Sequence, residues 1–224
     1  MRHATHQAVH HTSQRQAFGA SLLDQPVMRR VLADLAVESE AAVATWVRMA
    51  QAFDGSQESM EEQMFRRIAV AVAKYWVCKR APAMVYESLE CFGGNGYVEE
   101  GPMARLFRQS PLNSIWEGSG NVMGLDVMRA MGREAEAIPA LMTELEKARG
   151  NHPNLDRAID SLRDEMTDTD GIEGRMRMIT EMIALTLQGA LLTSHGPPEV
   201  AEAFCASRLA ARYRGAFGTL PSGC

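Results

Sequence analysis

Apolar residues recur every three to four positions along most of the chain, which is the spacing of one face of an α-helix. The clearest case starts with Asp24 as an acidic N-cap candidate and Pro26 in the first turn, and it stops at Asp54-Gly55. This pattern predicts one long helix of the kind that forms the rods of a helical bundle. Its predicted core positions are Val27, Val31, Leu35, Ala42, Trp46, Met49 and Phe53.

A second long helix is predicted over about 58–90, with an acidic first turn that suits the positive end of the helix dipole. Pro82 lies inside it and predicts a kink. The glycine-rich stretch CFGGNGYVEEGP cannot continue the helix. A short helix from Pro102 and a loop through Pro111 then lead to SIWEGSGN, which opens a third long helix. The core candidates of that helix are Val122, Leu125, Val127 and Met128.

Shorter helical segments follow Pro139, at about 139–149, 154–167, 172–193 and 198–213. The whole pattern predicts an all-α fold, a bundle of long antiparallel helices with a helical C-terminal appendage. We expect the bundle to cover residues 1–135 and the appendage to cover 136–224.

Composition agrees with helices and excludes several classes of protein. The 224 residues are 46% hydrophobic but only 6% aromatic, and Val, Ile and Thr never form the alternating runs of strands. The net charge of -5 gives no general attraction to nucleic acid or anionic membranes, and no apolar run approaches the ~20 residues that span a bilayer. The four cysteines lack metal-type spacing, so we expect reduced thiols in a cytoplasmic protein.

Histidines also provide a candidate metal site near the N-terminus. His3, His6 and His10 share one face of a predicted helix, and the last two have the spacing that can hold a metal. No cysteine or carboxylate lies nearby to complete such a site. A solvated polar face is the favoured interpretation, and no metal is predicted.

Two of the loops between helices contain residues suited to anion binding. RQAFG places Arg15 and Phe18 next to a glycine, and a planar guanidinium suits phosphate oxygens. For this motif taken alone, a surface arginine before a helix-ending glycine is the favoured interpretation. In GGNGY, the glycines Gly93 and Gly94 would let backbone come close to an anion. Because no strand precedes this loop, a Rossmann site is excluded, and a plain interhelical loop is the alternative.

SIWEGSGN contains the candidate catalytic group. Ser119 is a credible N-cap, which leaves Glu117 just outside a helix N-terminus with Trp116 beside it. A carboxylate desolvated by aromatic surface has a raised pKa and can act as a general base near neutrality. The alternative is a solvent-facing loop glutamate.

Taken together, RQAFG, ECFGGNGY and SIWEGSGN, in this order between long helices, resemble the C-terminal half of the acyl-CoA dehydrogenase flavoproteins. The resemblance covers about residues 1–135. It is closest to the AidB-type, alkylation-response branch, to which VCKRAPAMVYESLECFGGNGYVEE and RLFRQSPLNSIWEGSGNVM are similar. The helical segments after Pro139 also look like the extra C-terminal segment of that branch.

The resemblance implies a function and a role for each motif. Glu117 would be the base that removes the α-proton of an acyl-CoA thioester, with Trp116 in the substrate pocket. FAD would be the cofactor. In a dimer or tetramer, one group of residues would contact the FAD that a neighbouring subunit binds, at the pyrophosphate and adenine end of that FAD. The residues of this group are Arg15, Phe18, Glu90, Gly93 and Gly94. The nucleotide of the same subunit would contact Ser119 and Asn121.

The sequence departs from the family pattern at a few of these positions. Glu90 stands where the family commonly has glutamine, and Pro26 stands where many members have a flavin-contacting glutamine, with Gln25 one place earlier. Ser119 and Asn121 replace the commoner threonine and glutamine.

Family members also have an N-terminal helical domain and a β-rich domain before this region. We therefore expect this chain alone to be poorly active. It would be either a piece of a longer protein or one half of a split protein whose partner chain supplies those domains.

Two other functions are open from the sequence. One is a DNA-associated alkylation-response protein that would use a small basic patch, although acidic residues outnumber basic ones from residue 140 onward. The patch would contain Arg208, Arg212, Tyr213 and Arg214. The other is a purely structural module that assembles through its long helices.

Overall fold

A computed structural model describes residues 1–210 of the chain, and this part is almost entirely helical. Within these 210 residues there are ten α-helices: α1 Arg2–Gln14, α2 Pro26–Gly55, α3 Met60–Glu90, α4 Gly94–Tyr97, α5 Pro102–Gln109, α6 Gly120–Arg133, α7 Ala137–Glu146, α8 Pro153–Thr167, α9 Ile172–His195 and α10 Pro198–Arg208. Two 3₁₀ turns, Leu22–Asp24 and Ser110–Ser114, and a small antiparallel pair, β1 Gln16–Ala17 and β2 Ala20–Ser21, complete the described elements. The predicted all-α fold is confirmed.

The two longest helices, α2 and α3, run next to each other through the middle of the molecule. The predicted stop of α2 at Gly55 is correct, and Pro82 lies inside α3 as expected. The predicted N-cap of α2 is wrong. Gln25 occupies that position, because Asp24 belongs to the preceding 3₁₀ turn, where its backbone N–H and one carboxylate oxygen are both bonded to the Ser21 hydroxyl.

The C-terminal helices share one hydrophobic core with the first part of the chain. α9 packs against α2, α3 and α6, and α7 packs against α3. The core joins buried residues of α3, such as Phe65 and Ile68, to buried residues of α9, such as Ile179 and Ile183. The predicted appendage is therefore built into the bundle, and the division at residue 135 stays a prediction.

The apolar stripe of α2 is only partly buried. Leu35, Ala42 and Met49 lie in the core as predicted. Trp46 is 70% exposed and Phe53 is 53% exposed, so their assignment to the core is wrong for this chain. Val27, another predicted core residue of α2, is 77% exposed. A stripe of helical spacing marks an apolar face, but described helices cover only part of it along a rod of this length.

Other core expectations have mixed outcomes. In α6, Val127 is fully buried, whereas Val122 is 45% exposed.

No helix within residues 1–210 is long and apolar enough to cross a membrane.

Candidate functional site

The RQAFG motif forms a tight hairpin and does not end a helix as predicted. α1 stops at Gln14, and Phe18 and Gly19 form the two-residue turn between β1 and β2. Both turn residues have positive φ, 54° at Phe18 and 85° at Gly19, as this type of hairpin turn requires. The turn leaves the Phe18 side chain 96% exposed at its tip. A bulky apolar residue in this conformation is rare, and such strain is concentrated at binding sites.

The glycine loop and RQAFG meet at one cavity of about 370 Å³. α3 ends at Glu90, Gly93 turns the chain with a φ of 58°, and the single-turn helix α4 follows. Of the predicted cofactor residues, the cavity brings together Arg15, Glu90, Gly93 and Gly94. Residues 79 positions apart therefore converge, because α1 packs alongside α3.

The polar groups of this cavity differ in how far they are already paired. Arg15 is exposed, and its guanidinium has no hydrogen bond or ion pair within residues 1–210. Glu90 accepts a hydrogen bond from the Tyr86 hydroxyl at 3.2 Å, and this bond raises the pKa of Tyr86. The imidazole of His11 stacks on Phe92 with ring centroids 4.3 Å apart. Burial, together with the charge of Arg15, lowers the pKa of His11.

The Glu117 loop repeats the two successive positive φ angles of the Phe18 turn. Glu117 has a φ of 55°, and Gly118 follows with a φ of 107°. In the described part of the chain, Phe18 and Glu117 are the two non-glycine residues with positive φ. Holding a residue there costs about 1–3 kcal/mol, so the surrounding structure must stabilise the conformation.

Helix α6 begins directly behind this loop, with Ser119 at the N-cap as predicted. The Ser119 side chain makes no capping hydrogen bond, so it leaves the first N–H groups of the helix available. On the same end of α6, the Asn121 side-chain oxygen accepts a hydrogen bond from Arg177 of α9 at 3.1 Å. Sequence reasoning did not find Arg177, because nothing in the pattern of α9 indicates that it packs against α6.

Glu117 is exposed within this chain, which corrects the expectation that its neighbours dry its carboxylate. Ile115 is 63% exposed and Trp116 is 56% exposed, so both side chains point largely away from the described core. Glu117 lines the mouth of a cleft of about 730 Å³ between α3 and α6. The apolar part of the cleft lining includes Met64 and Met123.

Lys74, in the middle of α3, contacts the Glu117 loop directly, and sequence reasoning missed it. Its ammonium donates a hydrogen bond to the carbonyl oxygen of Trp116 at 3.0 Å and another to the carbonyl oxygen of Gly118. A single lysine that bonds to main-chain carbonyls leaves no local sequence signal.

The remaining candidates lie away from these loops. His3, His6 and His10 are exposed on α1, and residues 1–210 contain no group of three His, Cys, Asp or Glu side chains that could hold a metal. Arg208 is only 7% exposed and is paired with acidic groups, so its place in a DNA-binding patch is wrong. Arg212, Tyr213 and Arg214 lie outside the described residues.

Comparison with known proteins supplies the family. Residues 1–132, more than half of the chain, match the pattern of the acyl-CoA dehydrogenase C-terminal domain. The chain belongs to the acyl-CoA dehydrogenase family. Among curated relatives, it is 37% identical over 205 residues to AidB of Escherichia coli (strain K12), and this match covers 92% of the chain and 37% of AidB.

Solved acyl-CoA dehydrogenase structures agree with the fold. The chain superposes with a TM-score of 0.87 on Caenorhabditis elegans ACDH-11 in complex with C11-CoA, at 26% identity, over 95% of this chain and 41% of that one. An acyl-CoA dehydrogenase from Bacillus anthracis, complexed with FAD, superposes with a TM-score of 0.65 at 19% identity, over 91% of this chain and 43% of that one. The chain thus spans less than half the length of these relatives.

Proposed function

We propose that this chain is the FAD-contacting, oligomer-forming helical part of an acyl-CoA dehydrogenase-type oxidoreductase, with Glu117 as the base. The observation that carries the proposal is the convergence of Arg15, Glu90, Gly93 and Gly94 on one cavity, separate from the cleft at Glu117. This arrangement suits a long dinucleotide that is gripped at two places by different copies of the chain.

The cavity beside the glycine loop fits the far end of FAD. A Cβ atom built at Gly93 or Gly94 would meet nothing within 4 Å, so open space lies against the backbone where a ligand can approach. The unpaired Arg15 guanidinium would hold the pyrophosphate, because its planar fork matches phosphate oxygens. Phe18, exposed at the hairpin tip, would pack against the nucleotide or the neighbouring subunit. Glu90 is an unusual neighbour for phosphate, and its bond to Tyr86 engages one of its oxygens.

The N-terminal end of α6 would hold the flavin nucleotide bound by the same subunit. Its first N–H groups carry the positive end of the helix dipole and are not capped by Ser119. Arg177 engages the side-chain oxygen of Asn121, which turns the amide –NH₂ outward as a donor. Together these groups would orient the nucleotide beside Glu117.

The chemistry assigned to Glu117 is removal of the α-proton of an acyl thioester. When bound, FAD would supply the hydride acceptor for the β-carbon, so the two carbons become a trans double bond. The Glu117 carboxylate takes the proton. The left-handed backbone of Glu117 directs this carboxylate towards the cleft. An acyl-CoA substrate is supported by ACDH-11, a relative whose structure holds C11-CoA.

Water exclusion requires surfaces that the described residues do not provide. Ile115, Trp116 and Phe18 are all more than half exposed, and each lies in one of the motif loops. We propose that the further domains implied by the family resemblance, or a second subunit, cover these side chains and dry the Glu117 carboxylate.

The test is made on the purified native protein, together with the further domains or the partner chain that the family resemblance implies. We expect it to retain FAD, and an added acyl-CoA should bleach the visible flavin absorbance under anaerobic conditions. Glu117→Gln should keep the flavin and lose about 10²–10⁴-fold of the bleaching rate, since it removes the base without changing size. Glu100→Gln, in an exposed loop, is the matched control. Bleaching at the wild-type rate by the Glu117→Gln variant would overturn the assignment.

A further inference from the structure

The Lys74 side chain bridges the two peptide groups that flank the Glu117–Gly118 pair. Its ammonium donates to the carbonyl oxygen of Trp116 at 3.0 Å and to the carbonyl oxygen of Gly118. Lys74 also lines the same cleft as Glu117. One side chain from the centre of α3 thus binds the backbone on both sides of the candidate base.

These two bonds bear directly on the conformation of Glu117. The Trp116 carbonyl belongs to the peptide group that precedes Glu117, and the Gly118 carbonyl belongs to the peptide group that follows Gly118. Both residues between them have positive φ, 55° and 107°. In this conformation the Trp116 and Gly118 carbonyl oxygens both reach one ammonium. The two bonds therefore stabilise the left-handed conformation against the alternatives open to the loop.

The main-chain hydrogen bonds of the loop fix its two ends, and the bonds that hold Glu117 between them come from α3. Upstream, the Trp116 N–H donates to the Leu112 carbonyl oxygen at 3.1 Å, which ends the 3₁₀ turn. Downstream, the Ser119 carbonyl accepts from the Met123 N–H at 2.9 Å, which starts α6. Glu117 lies between these two anchored points, and Lys74 spans the interval. A compact ammonium with three donors suits this task, since it can serve two carbonyls and keep a donor for a third partner.

We propose that Lys74 is a positioning residue for Glu117, because its bonds to the Trp116 and Gly118 carbonyls hold the base in the left-handed conformation that presents its carboxylate to the cleft. The inference rests on the proposed function for its catalytic consequence. The conformational part stands without flavin or substrate.

The first experiment measures the loop itself. Backbone NMR of the protein without substrate gives the HN–Hα coupling of Glu117. In Lys74→Met, which keeps the length of the side chain and removes its donors, we expect this coupling to move towards that of an extended residue. Lys74→Arg, which restores donors to the same carbonyls, should recover part of the original coupling. Lys147→Met, which removes an exposed cation at the end of α7, should leave Glu117 unchanged.

The second experiment separates positioning from stability. In the native protein, Lys74→Met should lower kcat by about 10²-fold, the cost of a base misplaced by about 1 Å, with KM for acyl-CoA changed little. Lys74→Arg should recover part of kcat. A loss of stability alone would lower the amount of active protein and would not give this rescue at equal flavin content. If Lys74→Met does not fold, the carbonyl ¹³C shifts of Trp116 and Gly118 report the same two bonds. These shifts are then compared between the wild type and Lys74→Arg, and identical shifts would overturn the bonds.

The outcomes are distinguishable. An unchanged Glu117 coupling in Lys74→Met overturns the positioning role, whatever the activity. An altered Glu117 signal with a wild-type kcat overturns its catalytic consequence. Absence of flavin bleaching in the wild type overturns the proposed function and leaves the conformational result to decide the role of Lys74.

Discussion

Arg208 of α10 donates a hydrogen bond to Asp34 of α2 across 174 residues of sequence, and both side chains are almost completely buried. The same guanidinium donates to Glu38 at 3.1 Å, and Arg80 of α3 donates to Glu38 at 3.0 Å. This buried network joins α10 to the two central helices. It explains why an arginine of the predicted DNA patch is unavailable at the surface.

Removing Arg208 should destabilise the protein strongly. Arg208→Met leaves Asp34 buried without this partner, and loss of one member of a buried ion pair typically costs about 3–5 kcal/mol. Urea unfolding at neutral pH measures the change. The control is Arg29→Met, which breaks the exposed pair of Arg29 with Asp24 and should cost at most about 1 kcal/mol. Equal losses in the two variants would show that burial does not set the strength of the Arg208 pair.

Glu38 should make the fold sensitive to acid. Burial alone would raise the pKa of Glu38, but its bonds to Arg80 and the charges of Arg80 and Arg208 outweigh burial and lower it from 4.5. The unfolded chain then takes up the proton at a higher pH than the folded chain does. The contribution of Glu38 is complete above about pH 4.5 and is lost as pH falls through the lowered folded value.

Unfolding free energies at several pH values test this sign. Glu38→Gln should be less stable than the wild type at neutral pH, and the difference should shrink as pH falls below about 4.5. Glu144 has a lowered pKa too, since Arg48 and Lys147 outweigh its burial, and it contributes to the acid sensitivity that remains in the variant. A difference that grows with acid would mean that the pKa of Glu38 is raised on folding.

The helices and the meeting of two motif loops were within reach of the sequence. Periodicity identifies the long rods, and glycines mark where they stop. Arg15 and Gly93 converge because α1 packs alongside α3. Periodicity does not tell which helix covers a face, so the exposure of Trp46 and the burial of α9 in the common core were not predictable.

The backbone of the loops also escaped prediction. A left-handed phenylalanine contradicts local preference, so RQAFG read as a helix end although it forms a hairpin turn. The same holds for Glu117, whose conformation depends on Lys74, a residue 44 positions from Gly118. Tertiary contacts of this kind override local preference at sites where strain is used.

The strained backbone at Glu117 predicts a reversed order of stability for two substitutions. Glu117→Gly should be more stable than Glu117→Ala by about 1 kcal/mol, because glycine enters the left-handed region without the steric cost of a Cβ atom. Both variants lose the carboxylate, so the comparison isolates the backbone. Thermal or urea unfolding of the two proteins gives the difference.

Glu40, exposed in the middle of α2, provides the control for this comparison. There, Glu40→Gly should be less stable than Glu40→Ala by about 1 kcal/mol, as in any helix interior. If alanine is the more stable replacement at position 117 as well, Glu117 does not hold the left-handed conformation in solution.

Two glycines of one loop should separate folding from cofactor binding. A Cβ atom at Gly94 meets nothing within 4 Å, so Gly94→Ala should change stability by no more than about 0.5 kcal/mol while filling the space proposed for the FAD nucleotide. At Gly96, a Cβ atom would collide with the Leu89 carbonyl oxygen and approach the Phe92 Cβ at 3.0 Å, so Gly96→Ala should cost about 1–3 kcal/mol. Flavin fluorescence titration of the native protein should show FAD binding weakened about tenfold or more in Gly94→Ala, with an unchanged melting temperature of the FAD-free protein. Wild-type FAD affinity in that variant would place the nucleotide away from the glycine loop.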